Sequence, residues 1–395
     1  MTAPITRTDD LAQFCRDCLD APYVTVDTEF MRERTYYAQL CLVQLGRPGK
    51  GPETAVVVDT LAEGLSLEPL YELFRAPDVV KVFHAARQDL EIFATTADVI
   101  PKPFFDTQVA AMVCGYGDQA GYETLARQIA RAVIDKSSRF TDWARRPLSQ
   151  AQLDYALADV THLRKIYEVL SKRIADTGRE AWVQEELAVL LDPATYRADP
   201  ETAWTRLKTR STAPKFLGAL KELARFREIA AQTRNVPRAR ILKDDALLEI
   251  AANRPRNLDD LGKSRLLLRE GRRGDVAEGI LKAIADAEAT PAADLPHVPE
   301  PTPRKPGSEA LADLLRVLLK AKSDEAGVAQ RLVASSSELD QIASEDSPDL
   351  PALRGWRFEV FGRDALRLKR GEIALSAQGA RVRVVAVASD AAASA

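Results

Sequence analysis

Histidine and cysteine are scarce. Three histidines and four cysteines stand in 395 residues, and only Cys15 and Cys18 form a close pair. A structural zinc site needs a second ligand pair at matching spacing, and none follows. This argues against a zinc protein and, among enzymes, against a zinc hydrolase. Cys15, Cys18, Cys41 and Cys114 are expected as reduced, partly buried thiols. No run of about 18 apolar residues occurs, so no transmembrane helix is expected. The first residues lack the basic stretch and apolar run of a signal peptide. The expectation is a cytoplasmic protein with no membrane association.

What is present is ordinary in bulk, with 46% hydrophobic and 29% charged residues. The length leaves room for about two to four domains. The net charge of −3 conceals a division. Residues 1–202 carry 22 Lys/Arg against 31 Asp/Glu, whereas residues 203–290 carry 19 against 12. Residues 291–395 are balanced, at 14 against 15. An acidic first domain therefore precedes a basic one. Basic surfaces attract phosphate backbones and release their counterions, although a solvated charged face is the competing reading.

Strand and helix signals alternate in the first two hundred residues. Tyr23–Phe30, Tyr36–Leu45 and Thr54–Asp59 read as three strands of an antiparallel meander. A helix at Leu67–Phe74, a strand at Val79–Phe83 and a helix at Ala85–Ala94 follow, then helices over Tyr122–Val133 and Ser149–Lys172. The pattern predicts a mixed sheet covered by helices. Helical periodicity dominates later, over Phe216–Ala230, Asp245–Ala252, a segment after Pro255 and Asn257, and Val276–Ala287. Beyond a Pro-rich linker the same order recurs as Ser308–Ser323, Glu325–Ala334, Ser336–Ala343 and Leu353–Phe361, which reads as a diverged second copy. Glu372–Ala377 and Ala380–Val387 suggest a terminal hairpin before a disordered tail. The predicted division is 1–202, a catalytic domain; 203–290, a helical domain; 291–306, the linker; 307–371, a second helical domain; and 372–395, an extension.

Three segments carry candidate chemistry. Asp27 and Glu29 are two apart on one strand, so both carboxylates share a face at the strand's end. Adjacent carboxylates repel, and a hard divalent cation such as Mg²⁺ or Mn²⁺ relieves that repulsion. A turn-forming acidic pair is the alternative. Asp89 follows the Val79–Phe83 strand in His84-Ala-Ala-Arg-Gln-Asp89-Leu-Glu91, where a helix start turns it toward the edge that holds Asp27, while Glu91 points elsewhere. His84 is expected to hydrogen-bond locally, with a contact to water or phosphate as the alternative. Tyr155 and Asp159 are four apart and share a helical face. A helical tyrosine is also common as core or surface filler, and spacing alone does not bring the three segments together.

Taken in order over about 130 residues, these segments resemble the ribonuclease D family of DEDD exonucleases, in its tyrosine-containing branch. The motifs are Val26-Asp27-Thr28-Glu29-Phe30, His84 to Glu91, and Tyr155-Ala-Leu-Ala-Asp159, the last preceded by Asp142-Trp143-Ala-Arg-Arg-Pro-Leu148. The strand Thr35 to Leu45 is similar too. His162 departs from the pattern, where many relatives carry an aromatic residue. The resemblance implies a ribonuclease-H-like mixed sheet followed by two small all-helical HRDC-like domains, an α+β multidomain fold. It assigns two divalent ions, Mg²⁺ or Mn²⁺, to Asp27, Glu29, Asp89 and Asp159, and it gives Tyr155 the orientation of the attacking water. It implies 3′→5′ hydrolysis of RNA from a free 3′ end, releasing nucleoside 5′-monophosphates, with tRNA precursors as substrates. No obligate protein partner is expected, and the two added helical domains suit a working monomer. Arg234, Arg238, Arg240 and Lys243 are the candidate RNA contacts of the basic domain. A DNA-preferring exonuclease and a noncatalytic RNA-binding protein are the rival readings.

Overall fold

The catalytic region is organised by a strand whose two neighbours differ in length. Strand β1 (Tyr23–Met31) pairs antiparallel along most of its length with β2 (Gln39–Gly46), which pairs antiparallel with β3 (Ala55–Asp59). On its other side β1 runs parallel to the short β4 (Val80–Phe83), and that pairing stops at Thr25↔Val82. Strand β5 (Phe104–Asp106) completes the order β3-β2-β1-β4-β5. Asp27 and Glu29 therefore lie where β1 has outrun its parallel neighbour, at the carboxyl ends of the parallel strands, where α/β sheets open their clefts. The computed structural model describes residues 3–135, 137–297 and 305–387. The expectations for 298–304, in the Pro-rich linker, and for the tail at 388–395 lie outside these residues.

Helices α1 (Thr8–Leu19), α2 (Glu68–Arg75), α3 (Arg87–Ala97) and α4 (Thr107–Val113) cover the sheet. Helix α1 buries Leu11, Phe14, Cys15 and Cys18, one stripe of a 3.6-residue period. The short α5 (Tyr122–Leu125) leads into a π-turn over Ala126–Ala130, which stops at Arg131 with φ of 57°. The helix predicted over Tyr122–Val133 is thus shorter than expected. The long α6 (Gln150–Thr177) starts with a capping box between Ser149 and Gln152 and ends at Gly178 in the left-handed region. The Thr25 hydroxyl donates to the Val160 carbonyl at 2.8 Å and ties α6 to the sheet. A Cβ on Gly46 would stand 2.5 Å from that hydroxyl, so this approach requires glycine. Helix α7 (Glu180–Ala188) closes this part. All four cysteines are free and buried.

A second core gathers on α8 (Pro214–Arg234), the one-turn α9 (Arg238–Ile241), α10 (Asp244–Asn253), α11 (Leu258–Gly262) and α12 (Gly274–Ala289), with Ala203 and Leu207 joining from the preceding 3₁₀ turn. A third lies on α13 (Ser308–Ala326), the one-turn α14 (Gln330–Val333), α15 (Ser336–Ser344), α16 (Gly355–Arg357) and α17 (Arg363–Lys369). Both units follow a long helix with one turn ended by an extended residue, Leu242 at φ −158° and Ala334 at φ −156°. The helix expected over Glu325–Ala334 is divided, because α13 runs on to Ala326 and Gly327 ends it at φ 61°. The expected Leu353–Phe361 helix begins at Gly355 and runs on through a π-turn at Phe358–Gly362 into α17. The expected terminal hairpin forms from β6 (Ile373–Gln378) and β7 (Arg381–Ala386) and packs Ile373, Leu375 and Val384 on the third core.

Two contacts fix the helical units on the sheet domain. Trp182 of α7 stacks on Trp356 at 4.4 Å and 14°, while Arg357 pairs with Glu185 and Glu186. At the other junction, the Tyr36 and Tyr37 amides donate to Asn235 Oδ1 at 3.1 and 3.0 Å. This clasp turns Tyr36 away from the sheet, so β2 begins at Gln39 instead of Tyr36. The Tyr36 hydroxyl meets Glu228, and Arg238 clamps Glu228 at 2.6 Å while lying 4.7 Å over the Tyr36 ring. Arg238 is therefore engaged within the protein, whereas Arg234 pairs with Asp275 at the exposed surface. The Glu228 side chain is 1% exposed, so Arg238→Ala strands a buried carboxylate and is expected to lower stability by about 3 kcal/mol. Arg240→Ala, at an exposed residue, should change stability by less than about 0.5 kcal/mol. Urea unfolding of the two variants checks the contrast; equal stability would remove Arg238 from the clasp.

Candidate active site

The half-buried Asp27 and Glu29 leave the same face of β1, as the period of a strand dictates. Asp159 comes to them from α6, and carboxylate oxygens of the three lie within 4.8 Å of one another. Asp89, in the first turn of α3, stands beside this trio; its Oδ1 accepts the hydroxyl of Thr28, the residue between Asp27 and Glu29. Its charge reaches both Asp27 and Glu29. Asp89 is thus adjacent to the cluster while its side chain is held by Thr28.

Asp106 sets the position of the α3 start. It caps α4 through the amides of Gln108 and Val109, and it also accepts from the Ala85 and Ala86 amides at 3.1 and 2.9 Å. Ala85 has φ of 56°, and these bonds stabilise that left-handed turn. Sequence reading missed Asp106, although a short polar residue ahead of a helix is a capping signal. His84 contacts the Thr107 hydroxyl at 3.0 Å, the local bond expected, and it also lines the cleft. Burial lowers its pKa, which favours the neutral ring. Glu91 points away and binds Arg32 through two bonds of 2.6 and 2.9 Å.

Tyr155 lies one turn before Asp159 on α6, with its hydroxyl near enough to that carboxylate to hold its pKa down. Its ring rests 6.1 Å from Trp143, and the Trp143 segment is anchored by Arg146, which forks onto Asp59 at 2.7 and 2.6 Å. The cleft, about 270 Å³, runs from Asp27, Tyr155 and Asp159 to Tyr122, Ile134 and Leu163, with Arg139 at its edge. Arg139 was missed because its loop has no periodicity to read.

Burial and mutual repulsion raise every carboxyl pKa here. Asp27 is pushed well above its usual value by burial, then by Asp159, Asp89 and Glu29. Glu29 is pushed up to about 9 by burial and the charges of Asp159 and Asp89, with Arg139 opposing. Asp89 and Asp159 reach about 7, raised by burial and held back by the Thr28 and Tyr155 hydroxyls respectively. A cluster that holds protons for want of positive charge, with only hard oxygen donors, fits divalent cations.

The sign of the stability change follows. The folded state binds these protons more tightly than the unfolded chain, so protonation stabilises the fold, and that contribution is lost as pH rises through the folded pKa values. The metal-free protein is expected to lose thermal stability as pH rises from the ordinary carboxylate range to about 9. Asp89 and Asp159 contribute up to about 7 and Glu29 up to about 9, and saturating Mg²⁺ should restore the loss. Unfolding midpoints across this range check it; a metal-free stability that rises there would contradict the clustering.

Two family models match the chain, one described as 3′-5′ exonuclease over residues 2–175 and one described as HRDC domain over residues 216–284. Ribonuclease D of Jannaschia sp. (strain CCS1) is 60% identical over 387 residues, covering 98% of this chain and 100% of that protein. Ribonuclease D of Granulibacter bethesdensis is 52% identical over 384 residues, covering 96% of each. The crystal structure of Escherichia coli RNase D, described as an exoribonuclease involved in structured RNA processing, superposes with a TM-score of 0.78 at 27% identity, covering 94% of this chain and 99% of that one. Because the likeness runs from the sheet with its carboxylates through both helical units, the chain belongs to the ribonuclease D family of DEDD-type exonucleases with HRDC domains.

Proposed function

We propose that the chain hydrolyses RNA from its free 3′ end with two divalent ions, Mg²⁺ or Mn²⁺, releasing nucleoside 5′-monophosphates, and that it trims the 3′ extensions of tRNA precursors. The observation that carries this reading is the approach of Asp27, Glu29 and Asp159 within 4.8 Å, with Asp89 against Thr28 and Tyr155 on Asp159. We take these five as the catalytic residues and the four carboxylates as the metal ligands. The domain division at 202/203 accords with Ala203 and Leu207 belonging to the second core. Four free, buried thiols suit a reducing cytoplasm, and we take the chain to act there as a monomer. Among the described residues no helix is long and apolar enough to cross a membrane.

When bound, the ions supply acidification of the attacking water and positive charge for the departing 3′ oxygen. The residues supply position. In the hydrolysis, water oxygen bonds to phosphorus, the bond from phosphorus to the 3′ oxygen breaks, and that oxygen gains a proton. Burial and three carboxylates push the Tyr155 phenol above its usual value, so it stays neutral and is no general base near neutrality. The hydroxyl, close to Asp159, can donate its hydrogen to that carboxylate while the phenolic oxygen keeps lone pairs to accept from the attacking water. Tyr122, fixed by its hydroxyl on the Ala158 carbonyl at 2.8 Å, offers an apolar wall for the terminal nucleoside together with Ile134 and Leu163. Arg240 and Lys243 are exposed and have no side-chain hydrogen bond or ion pair among the described residues, so they are the proposed HRDC contacts to the RNA body.

The test is digestion of a 3′-tailed tRNA and of a short oligomer, labelled at either end, with and without divalent ions. The expected result is metal-dependent release of monophosphates from the 3′ end, with a 5′ label retained on a shortening ladder. Arg240→Ala with Lys243→Ala should slow the tailed tRNA more than the oligomer. Preferential digestion of a matched DNA, or RNA binding without cleavage, would overturn the reading.

A further inference from the structure

A second, larger cleft lies where the sheet domain meets the first helical unit. It measures about 700 Å³ and is lined by Arg32, Arg87, Arg197, Arg206 and Arg238 together with Tyr36, Tyr37 and Tyr196. Only two carboxylates, Glu91 and Asp98, share the lining. Two of the five arginines are neutralised, Arg32 by Glu91 and Arg238 by Glu228. Arg87, Arg197 and Arg206 are exposed, and their side chains make no hydrogen bond or ion pair among the described residues. They come from three separate elements: the start of α3, the end of the 3₁₀ turn at Pro193–Tyr196, and the end of the 3₁₀ turn at Pro200–Arg206. Convergence of like charges without paired carboxylates costs the fold stability, with Glu228 offsetting Arg206 in part, and a polyanion relieves it.

The cleft is tied to the carboxylate cluster by shared backbone. Arg32 follows Glu29 by three residues beyond β1, and Arg87 precedes Asp89 by two at the α3 start. Among the described residues none lines both clefts, and Glu91 on this wall points away from the cluster. The two clefts nevertheless lie close, since the charge of Asp89 reaches Tyr196 on the cleft wall. A chain whose end is held at the carboxylates meets the arginines once it has rounded the start of α3. The ligand needs regularly spaced negative charges, which a phosphodiester backbone has. Tyr37 adds an exposed ring, edge-on to Tyr36 at 4.8 Å, available for stacking on an unpaired base.

We propose that this junction cleft holds the single-stranded RNA on the 5′ side of the scissile bond, with Arg87, Arg197 and Arg206 on its phosphates and Tyr37 against a base. The inference rests on the exoribonuclease reading. It makes the junction a positioning site that requires both domains, and it gives the Tyr36 clasp a role, since a shift there would displace the arginine wall. A substrate with a long unpaired 3′ tail fills the cleft, whereas a duplex running to the 3′ terminus does not present a free strand to it.

The test compares Arg87→Ala/Arg197→Ala/Arg206→Ala with a control that removes the same charge elsewhere, Lys320→Ala/Arg381→Ala/Arg383→Ala. Binding of a labelled single-stranded RNA of about a dozen nucleotides is followed by anisotropy against salt, in both cases on the Asp27→Asn background in chelator. The cleft triple should bind at least about ten-fold more weakly, with the salt slope reduced by about 2, or about 0.7 for each phosphate that is no longer neutralised. The control should move neither. In the active enzyme the cleft triple should raise KM for the same RNA, with the change in kcat the smaller of the two. Equal weakening by both triples, an unchanged slope, or a loss confined to kcat overturns the proposal. Absence of monophosphate release by the unmutated enzyme would bring down the exoribonuclease reading instead, and the binding comparison would still decide what the cleft holds.

Discussion

Asp27→Asn is expected to slow hydrolysis by about three orders of magnitude at saturating RNA and metal. The carboxylate sits at the centre of the cluster, close to Glu29 and Asp159 and within electrostatic reach of Asp89. Its loss removes charge from the donor set that holds the cations, whose contribution to the transition state is several kcal/mol, and about 4 kcal/mol corresponds to three decades of rate. The same substitution should leave the metal-free fold as stable as before or more so, because a buried carboxylate repelled by three others has been made neutral. Single-turnover rates and unfolding midpoints, measured together, separate the two effects. A rate within ten-fold of the unmutated enzyme would contradict the assignment, and a large drop in stability would mean that Asp27 supports the fold.

Tyr155→Phe should lower kcat by about two to three orders of magnitude while leaving KM within about two-fold. Only the hydroxyl is removed; the ring keeps its place beside Trp143. Because the phenol is neutral throughout the working range, the pH–rate profile of the variant should keep its shape and fall uniformly. A profile that loses one limb would instead make Tyr155 a group that titrates in the reaction. An unchanged kcat would show that the Tyr155 hydroxyl has no part in positioning water.

The parts of the site governed by local periodicity were legible. Two residues along a strand and four along a helix fix which side chains share a face, so Asp27 with Glu29 and Tyr155 with Asp159 could be paired from spacing alone. The approach of Asp159 to Asp27 could not, because it depends on α6 crossing the sheet at Thr25 and Gly46, and there the resemblance stood in for geometry. The hydroxyl of Thr28 on Asp89 had no signal, since it joins residues 61 apart through a turn held by Asp106. Helix α1 carried a clear apolar stripe and went unread, whereas β5 is three residues long and gives too little pattern to find. Arg238 looked like a solvent-facing cation in a basic segment. The sign of its internal role was Glu228, ten residues earlier, a charge on the apolar face of α8 that needed a partner. The arginine cleft was invisible for a similar reason, as its wall draws on segments from residue 32 to residue 238.

The most direct measurement is the anomalous difference map of crystals soaked in Mn²⁺. The expected result is density bounded by Asp27, Glu29 and Asp159, with Asp89 turned from Thr28 toward it, and loss of that density in Asp27→Asn crystals. Density confined to other sites, or none at a Mn²⁺ concentration that supports full hydrolysis, would contradict a carboxylate cluster built to hold cations against a phosphodiester.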